Sequence, residues 1–144
     1  MGGNAFEDVS PITFEDYTLL IPQIEARLHV AGVSVVKPLG STGKAQLMGD
    51  IDLAVVHPSR DSLADSLSPD FQTRKFGARQ VTLRWPTKNL QAVQVDIMVG
   101  NIEWLEWARV GSPQSAVKGA IRNLFLNALL RAHSSGTNLD RTRL

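Results

Sequence analysis

Cysteine is absent from the 144 residues, which excludes disulfides, a thiol nucleophile and a thiolate zinc site, and makes a cytoplasmic location the simplest expectation. Long apolar runs are missing too. None approaches the ~20 residues of a membrane-spanning helix, and the N-terminus lacks a basic start followed by a hydrophobic block. A soluble, unprocessed chain with no membrane partner is expected. Met1-Gly2-Gly3 opens like a myristoylation signal, but Phe6 stands where that signal needs serine or threonine. Charge of one sign is not in excess: 15 Lys and Arg against 14 Asp and Glu give a formal +1. Any basic surface must therefore come from clustering. Internal repeats, low-complexity tracts and long linkers are absent as well.

What is present fits one domain with a real core, since 43% of the residues are hydrophobic and 20% charged. Tyr17, Leu20, Ile21, Ile24 and Leu28 recur at helical spacing between Thr13 and about Val30. Thr13 and Asp16 suit a capping box, Pro22 is expected to kink or shift the helix, and Gly32 to end it. Strands are expected over 33–39 and 51–56, joined by 40–49. A short helix is expected over 61–67, stopped by Ser68-Pro69-Asp70. Segments 80–85 and 92–99 read as an antiparallel hairpin, the first with Val81, Leu83 and Trp85 on one face and Thr82 and Arg84 on the other. Helices follow over 102–110 and from Ser115 to about Ala132, the latter striped by Val117, Ile121, Leu124 and Ala128. The expected class is α/β (α+β), a mixed, partly antiparallel sheet flanked by helices. The single domain has a core at about 14–99, C-terminal helices at about 102–133 and a mobile tail over 134–144.

The chemistry concentrates in Leu39-Gly40-Ser41-Thr42-Gly43-Lys44, then Gly49-Asp50-Ile51-Asp52-Leu53, then Val95-Asp96-Ile97. Strand parity puts Ile51, Leu53 and Val55 on one face and Asp50 with Asp52 on the other, about 7 Å apart at a rise of ~3.3 Å per residue. On the later strand Val93, Val95, Ile97 and Val99 form the apolar face, and Asp96 points the opposite way between Gln94 and Met98. A mid-strand acid is costly to bury without a partner. If the strands are neighbours, three acids converge, and magnesium is the natural partner because it takes carboxylates and substrate phosphates while keeping waters. Two such ions about 4 Å apart activate a hydroxyl and stabilise a leaving pyrophosphate. The bland alternative is a capped turn plus a salt-bridged Asp96. Gly40-Ser41 at a strand end is an anion nest or an ordinary tight turn. A P-loop is excluded, because Pro38 and Ala45 replace its required glycine and hydroxyl residue.

In that order, the glycine-serine turn, the aspartate pair and the third strand acid resemble the DNA polymerase β-like nucleotidyltransferase superfamily over about Phe14 to Val99. The resemblance implies a palm-like fold, a bound nucleoside triphosphate with two Mg2+ (or Mn2+) ions, and transfer of a nucleotidyl group to an acceptor hydroxyl with release of pyrophosphate. Gly40 and Ser41 would hold the triphosphate, Asp50 and Asp52 would ligate metal, and Asp96 would ligate the catalytic metal and help deprotonate the acceptor. A nucleic-acid 3′ end is the favoured acceptor; protein and small-molecule acceptors are alternatives. A catalytically silent nucleotide- or nucleic-acid-binding module is the rival from another class. A protein partner or homo-oligomer is left open.

Thr42 and Lys44 are auxiliary phosphate candidates. Ser115, Lys118 and Arg122 share a helix face at i, i+3 and i+7, which makes either the cationic side of a triphosphate pocket or a solvated polar face. Arg74, Lys75, Arg79, Arg84 and Lys88 surround the hairpin and either track an acceptor backbone or keep it soluble. Trp104 and Trp107 read as core packing rather than a stacking shelf. His29, His57 and His133 are too scattered for a metal site or a triad.

Overall fold

Thr13 starts the first helix as its spacing to Asp16 predicts. Its hydroxyl accepts the Asp16 N–H at 3.1 Å and donates to the Asp16 carboxylate at 2.9 Å. The computed structural model describes residues 5–88, 91–109 and 119–133. In chain order its elements are β1 (Ile12–Thr13), α1 (Phe14–Val30), β2 (Val35–Pro38), β3 (Leu47–Met48), β4 (Ile51–Val56), α2 (Arg60–Leu67), β5 (Gln72–Phe76), β6 (Gln80–Pro86), β7 (Ala92–Val99), α3 (Ile102–Arg109) and α4 (Gly119–His133). The expected mixed α+β architecture is present.

Helix α1 continues through Pro22 as one 17-residue element, so the proline removes one N–H without dividing it. Its exit is a Schellman motif: Gly32 at φ 92° donates to the His29 carbonyl, and Val33 donates to the Leu28 carbonyl. Leu28 and Val33 are both buried there, which supplies the apolar contact that accompanies this cap.

Five strands form one sheet in the order β2-β4-β7-β6-β5, while β1 and β3 pair separately. Among the described strands only β4 and β7 are parallel; the remaining pairs are antiparallel, including the expected β6–β7 hairpin. Parallel neighbours need a crossover, and α2, β5 and β6 supply it. Strand β5 was not expected from the sequence. Its residues Gln-Thr-Arg-Lys-Phe are mostly exposed, and an edge strand held by backbone pairing to β6 has no apolar alternation to betray it.

The main core lies on one face of the sheet. Ile24 and Leu28 from α1 and Leu63 and Leu67 from α2 pack there with Leu53, Val55, Val81, Leu83, Val95 and Ile97. The opposite face carries a smaller cluster of Leu39, Ala54 and Leu105, with Met98, Ile102 and Trp104 against it, so α3 covers one end of that face.

The described part of the stripe expected on helix α4 is exposed. Ile121, Leu124 and Phe125 are 53%, 70% and 65% exposed, so among the described residues nothing buries this face. Val117, Ser115 and Lys118 lie outside the described residues, as does the tail expected over 134–144.

Gly32→Ala tests the Schellman exit. A Cβ there meets only the His57 imidazole at 3.6 Å, an ordinary contact, so the cost is the left-handed backbone, about 1–2 kcal/mol. Urea unfolding should show a lower midpoint with an unchanged slope.

Candidate metal centre

The parallel pairing of β4 and β7 puts Asp52 and Asp96 opposite one another as Cα partners. Their neighbours Ile51, Leu53, Val95 and Ile97 enter the main core, so alternation sends both acids to the other face. Asp50, two residues before Asp52, falls on the same side. One carboxylate oxygen from each of Asp50, Asp52 and Asp96 lies within 4.8 Å of the other two, and all three residues are half-buried. Carboxylates at that spacing repel by about 3–4 kcal/mol per pair at an effective dielectric near 20, and a divalent cation among them offsets that cost. The donor set is all oxygen, which suits a hard divalent cation better than metals that favour nitrogen or sulfur.

The glycine-serine turn is bolted to Asp52. Leu39, buried against α3, donates its N–H to the Asp52 carbonyl at 2.9 Å, and Thr42 donates its N–H to the Leu39 carbonyl at 3.0 Å. The Thr42 hydroxyl accepts the Asp52 N–H at 2.8 Å. Gly40 has φ 59°, and a Cβ on it would stand 3.6 Å from Asp52 Oδ2; the turn's main chain therefore lies against the carboxylate. Ser41 and Lys44 are exposed, whereas Thr42 is buried and has an intramolecular partner.

Asp96 is held by two residues that sequence reasoning had not placed in the site. Thr82, its register partner on β6, donates Oγ1–H to Asp96 Oδ1 at 2.8 Å. Gln94 donates Nε2–H to the same oxygen at 3.0 Å. The signal was partly visible, because Thr82 and Gln94 alternate with core residues. Which acid they meet depends on register.

The N-terminal segment runs over the acid-bearing face of β6 and β7. Ala5 N–H donates to Gln94 Oε1 at 3.0 Å, and Ser10 N–H to the Ala92 carbonyl at 2.8 Å. Arg84 forks onto both Asp8 carboxylate oxygens, and the Arg74 guanidinium lies 5.2 Å from the centroid of the buried Phe6 ring. Along β7, these ties fall at Ala92 and Gln94 and the α3 cluster begins at Met98. Asp96 lies between the two coverings.

The hairpin cations do not form one strip. Lys75, on the opposite face of β5 from Arg74, pairs with Asp61 at 3.1 Å and Asp65 at 3.8 Å. Lys88 lines a cavity of about 460 Å3 with Leu20, Gln23 and Val93; Arg79 lines another of about 380 Å3 with His57, Arg60 and Gly100. The acids line neither. Arg122 lies on α4, and its side chain is outside the described residues. Trp104 packs against the smaller cluster and stacks on the 44% exposed Trp107 at 5.0 Å. His29 is bonded to the Val33 carbonyl, and His57 bridges the Ser59 and Ala31 carbonyls, both local ties.

Among known proteins, no family model and no curated sequence matches this chain. No described helix is long and apolar enough to cross a membrane.

The Asp8–Arg84 tie has a definite pH dependence. The hydrogen bond from Arg84 holds the Asp8 carboxyl below its ordinary 3.8. Its contribution is therefore complete above that ordinary value and is lost as pH falls through the lowered folded value. A carboxyl-carbon NMR titration should place the Asp8 midpoint below 3.8 in the native chain and return it to about that value in Arg84→Gln.

Proposed function

We propose that this chain is a metal-dependent phosphoryl-transfer enzyme, with Mg2+ or Mn2+ held by Asp50, Asp52 and Asp96. Within that class the reading is a nucleotidyltransferase that moves a nucleoside monophosphate from a nucleoside triphosphate to an acceptor hydroxyl. The observation that carries it is the convergence of the three acids across the parallel β4–β7 pair, with the Gly40-Ser41 turn against Asp52. Each part alone is commonplace, but a glycine turn beside an all-oxygen acidic cluster suits triphosphate chemistry.

Gly40 lets the turn approach substrate closely, Ser41 and Lys44 are exposed to meet phosphate oxygens, and Asp50 and Asp52 ligate the ions. Bound magnesium supplies charge neutralisation for the phosphates and for departing pyrophosphate. The acceptor oxygen bonds to the α-phosphorus, the bond from that phosphorus to the bridging oxygen breaks, and pyrophosphate leaves with the bond electrons. Asp96 takes the hydroxyl proton or passes it to water. A nucleic-acid 3′ end is the favoured acceptor: Arg74 and Phe76 are exposed on the acid-bearing face of edge strand β5, offering a cation for phosphate and an aromatic face for a base.

Pyrophosphate release should be measured with Mg2+, each ribo- and deoxyribonucleoside triphosphate, and a panel of RNA, DNA, protein and small hydroxylated acceptors. Asp52→Asn and Asp96→Asn should each lower the rate at least ~100-fold, the scale of losing one electrostatic stabiliser, with unchanged circular dichroism. Either variant retaining near-native rates overturns the metal assignment. Triphosphate binding without release under any condition would instead favour a silent binding module.

A further inference from the structure

We propose that Thr82 and Gln94 are positioning residues whose hydrogen bonds turn Asp96 toward the cation; this rests on the metal reading above. Both side chains are buried, at 0% and 4% exposure, and both donate to Oδ1 of Asp96. That concentration on one oxygen leaves Oδ2 to serve as the ligand.

The direction of the network is set from outside the site. A threonine hydroxyl has one proton to give. Gln80 donates Nε2–H to Thr82 Oγ1 at 3.1 Å, so Thr82 uses its lone pair there and its proton on Asp96. A glutamine amide has a donor end and an acceptor end. The main-chain N–H of Ala5 occupies the Gln94 acceptor end at 3.0 Å, which turns its NH2 toward Asp96. Two donors committed to the same atom fix which oxygen of Asp96 is engaged. Neither arrangement requires a cation, and each prepares for one.

A purely structural role for the same groups makes a different prediction. Buried polar side chains are ordinarily satisfied for stability alone, and in that case any variant that folds should bind metal as the native chain does. Partners that orient a ligand from behind typically change metal affinity 10–100-fold when removed.

The test is Mn2+ binding by the 144-residue chain, read by electron paramagnetic resonance of the free ion, with thermal melting of every variant in parallel. Thr82→Val and Gln94→Leu should each raise the Mn2+ dissociation constant by about tenfold or more, while Thr82→Ser, which keeps the hydroxyl, should stay within about threefold of the native chain. Gln94→Leu carries the readout if Thr82→Val does not fold. Native affinity in either folded variant overturns the positioning role, as does a Thr82→Ser as weak as Thr82→Val. Asp96→Asn separates this failure from the deeper one. If Asp96→Asn binds Mn2+ as the native chain does, or the native chain binds none, the metal reading itself is overturned and the positioning role with it.

Discussion

The site depends on one pairing, the parallel alignment of β4 with β7 in the middle of an otherwise antiparallel sheet. A slip of one residue in either strand would turn its acid-bearing face into the apolar core and its whole apolar set out. The register is strongly held because Ile51, Leu53, Val95 and Ile97 are fully buried and any slip exposes them. Burial on one face thus determines the geometry of charge on the other. The hydrophobic effect brings Asp52 and Asp96 together, and their repulsion is the cost of that alignment.

Two coverings leave the acids between them. The α3 cluster occupies the end of the face marked by Ala54 and Met98, and the N-terminal segment occupies the region of Ala92, Gln94 and Arg84. Both are held by contacts that reach almost to the acids. Leu39 packs beneath α3 and begins the turn whose main chain touches Asp52, while Ala5 bonds to Gln94, which bonds to Asp96. Asp52 and Asp96 are therefore mechanically connected to different covering elements. The buried polar groups are satisfied in a chain rather than singly, and such networks lose more than one bond's worth when a member is removed.

Much of this was legible in the sequence where the determinants are local. The helix cap at Thr13, the stop at Gly32 and the strands over 51–56 and 92–99 follow from residue preferences and alternation within a few positions. So does the assignment of Asp50, Asp52 and Asp96 to the faces opposite the apolar ones. Strand β5 was not legible, because backbone pairing forms it and its side chains carry no periodic signal. The layout of the hairpin cations was not legible for a related reason: Arg74 and Lys75 are adjacent in sequence and opposite in space. The apolar stripe of α4 was legible as periodicity, and Ile121 and Leu124 on it are exposed among the described residues. Periodicity identifies an amphipathic helix and does not say what covers it.

The sequence by itself determined which residues could carry chemistry and which way each points from its own strand, since side-chain alternation is a property of the local backbone. Tertiary structure alone decided that β4 and β7 are neighbours, that Asp52 stands opposite Asp96, and that Thr82 rather than Arg84 meets that acid. Those facts are set by register and by the crossover through α2, β5 and β6. They arise from burying one continuous apolar face, a constraint shared among residues far apart in the chain.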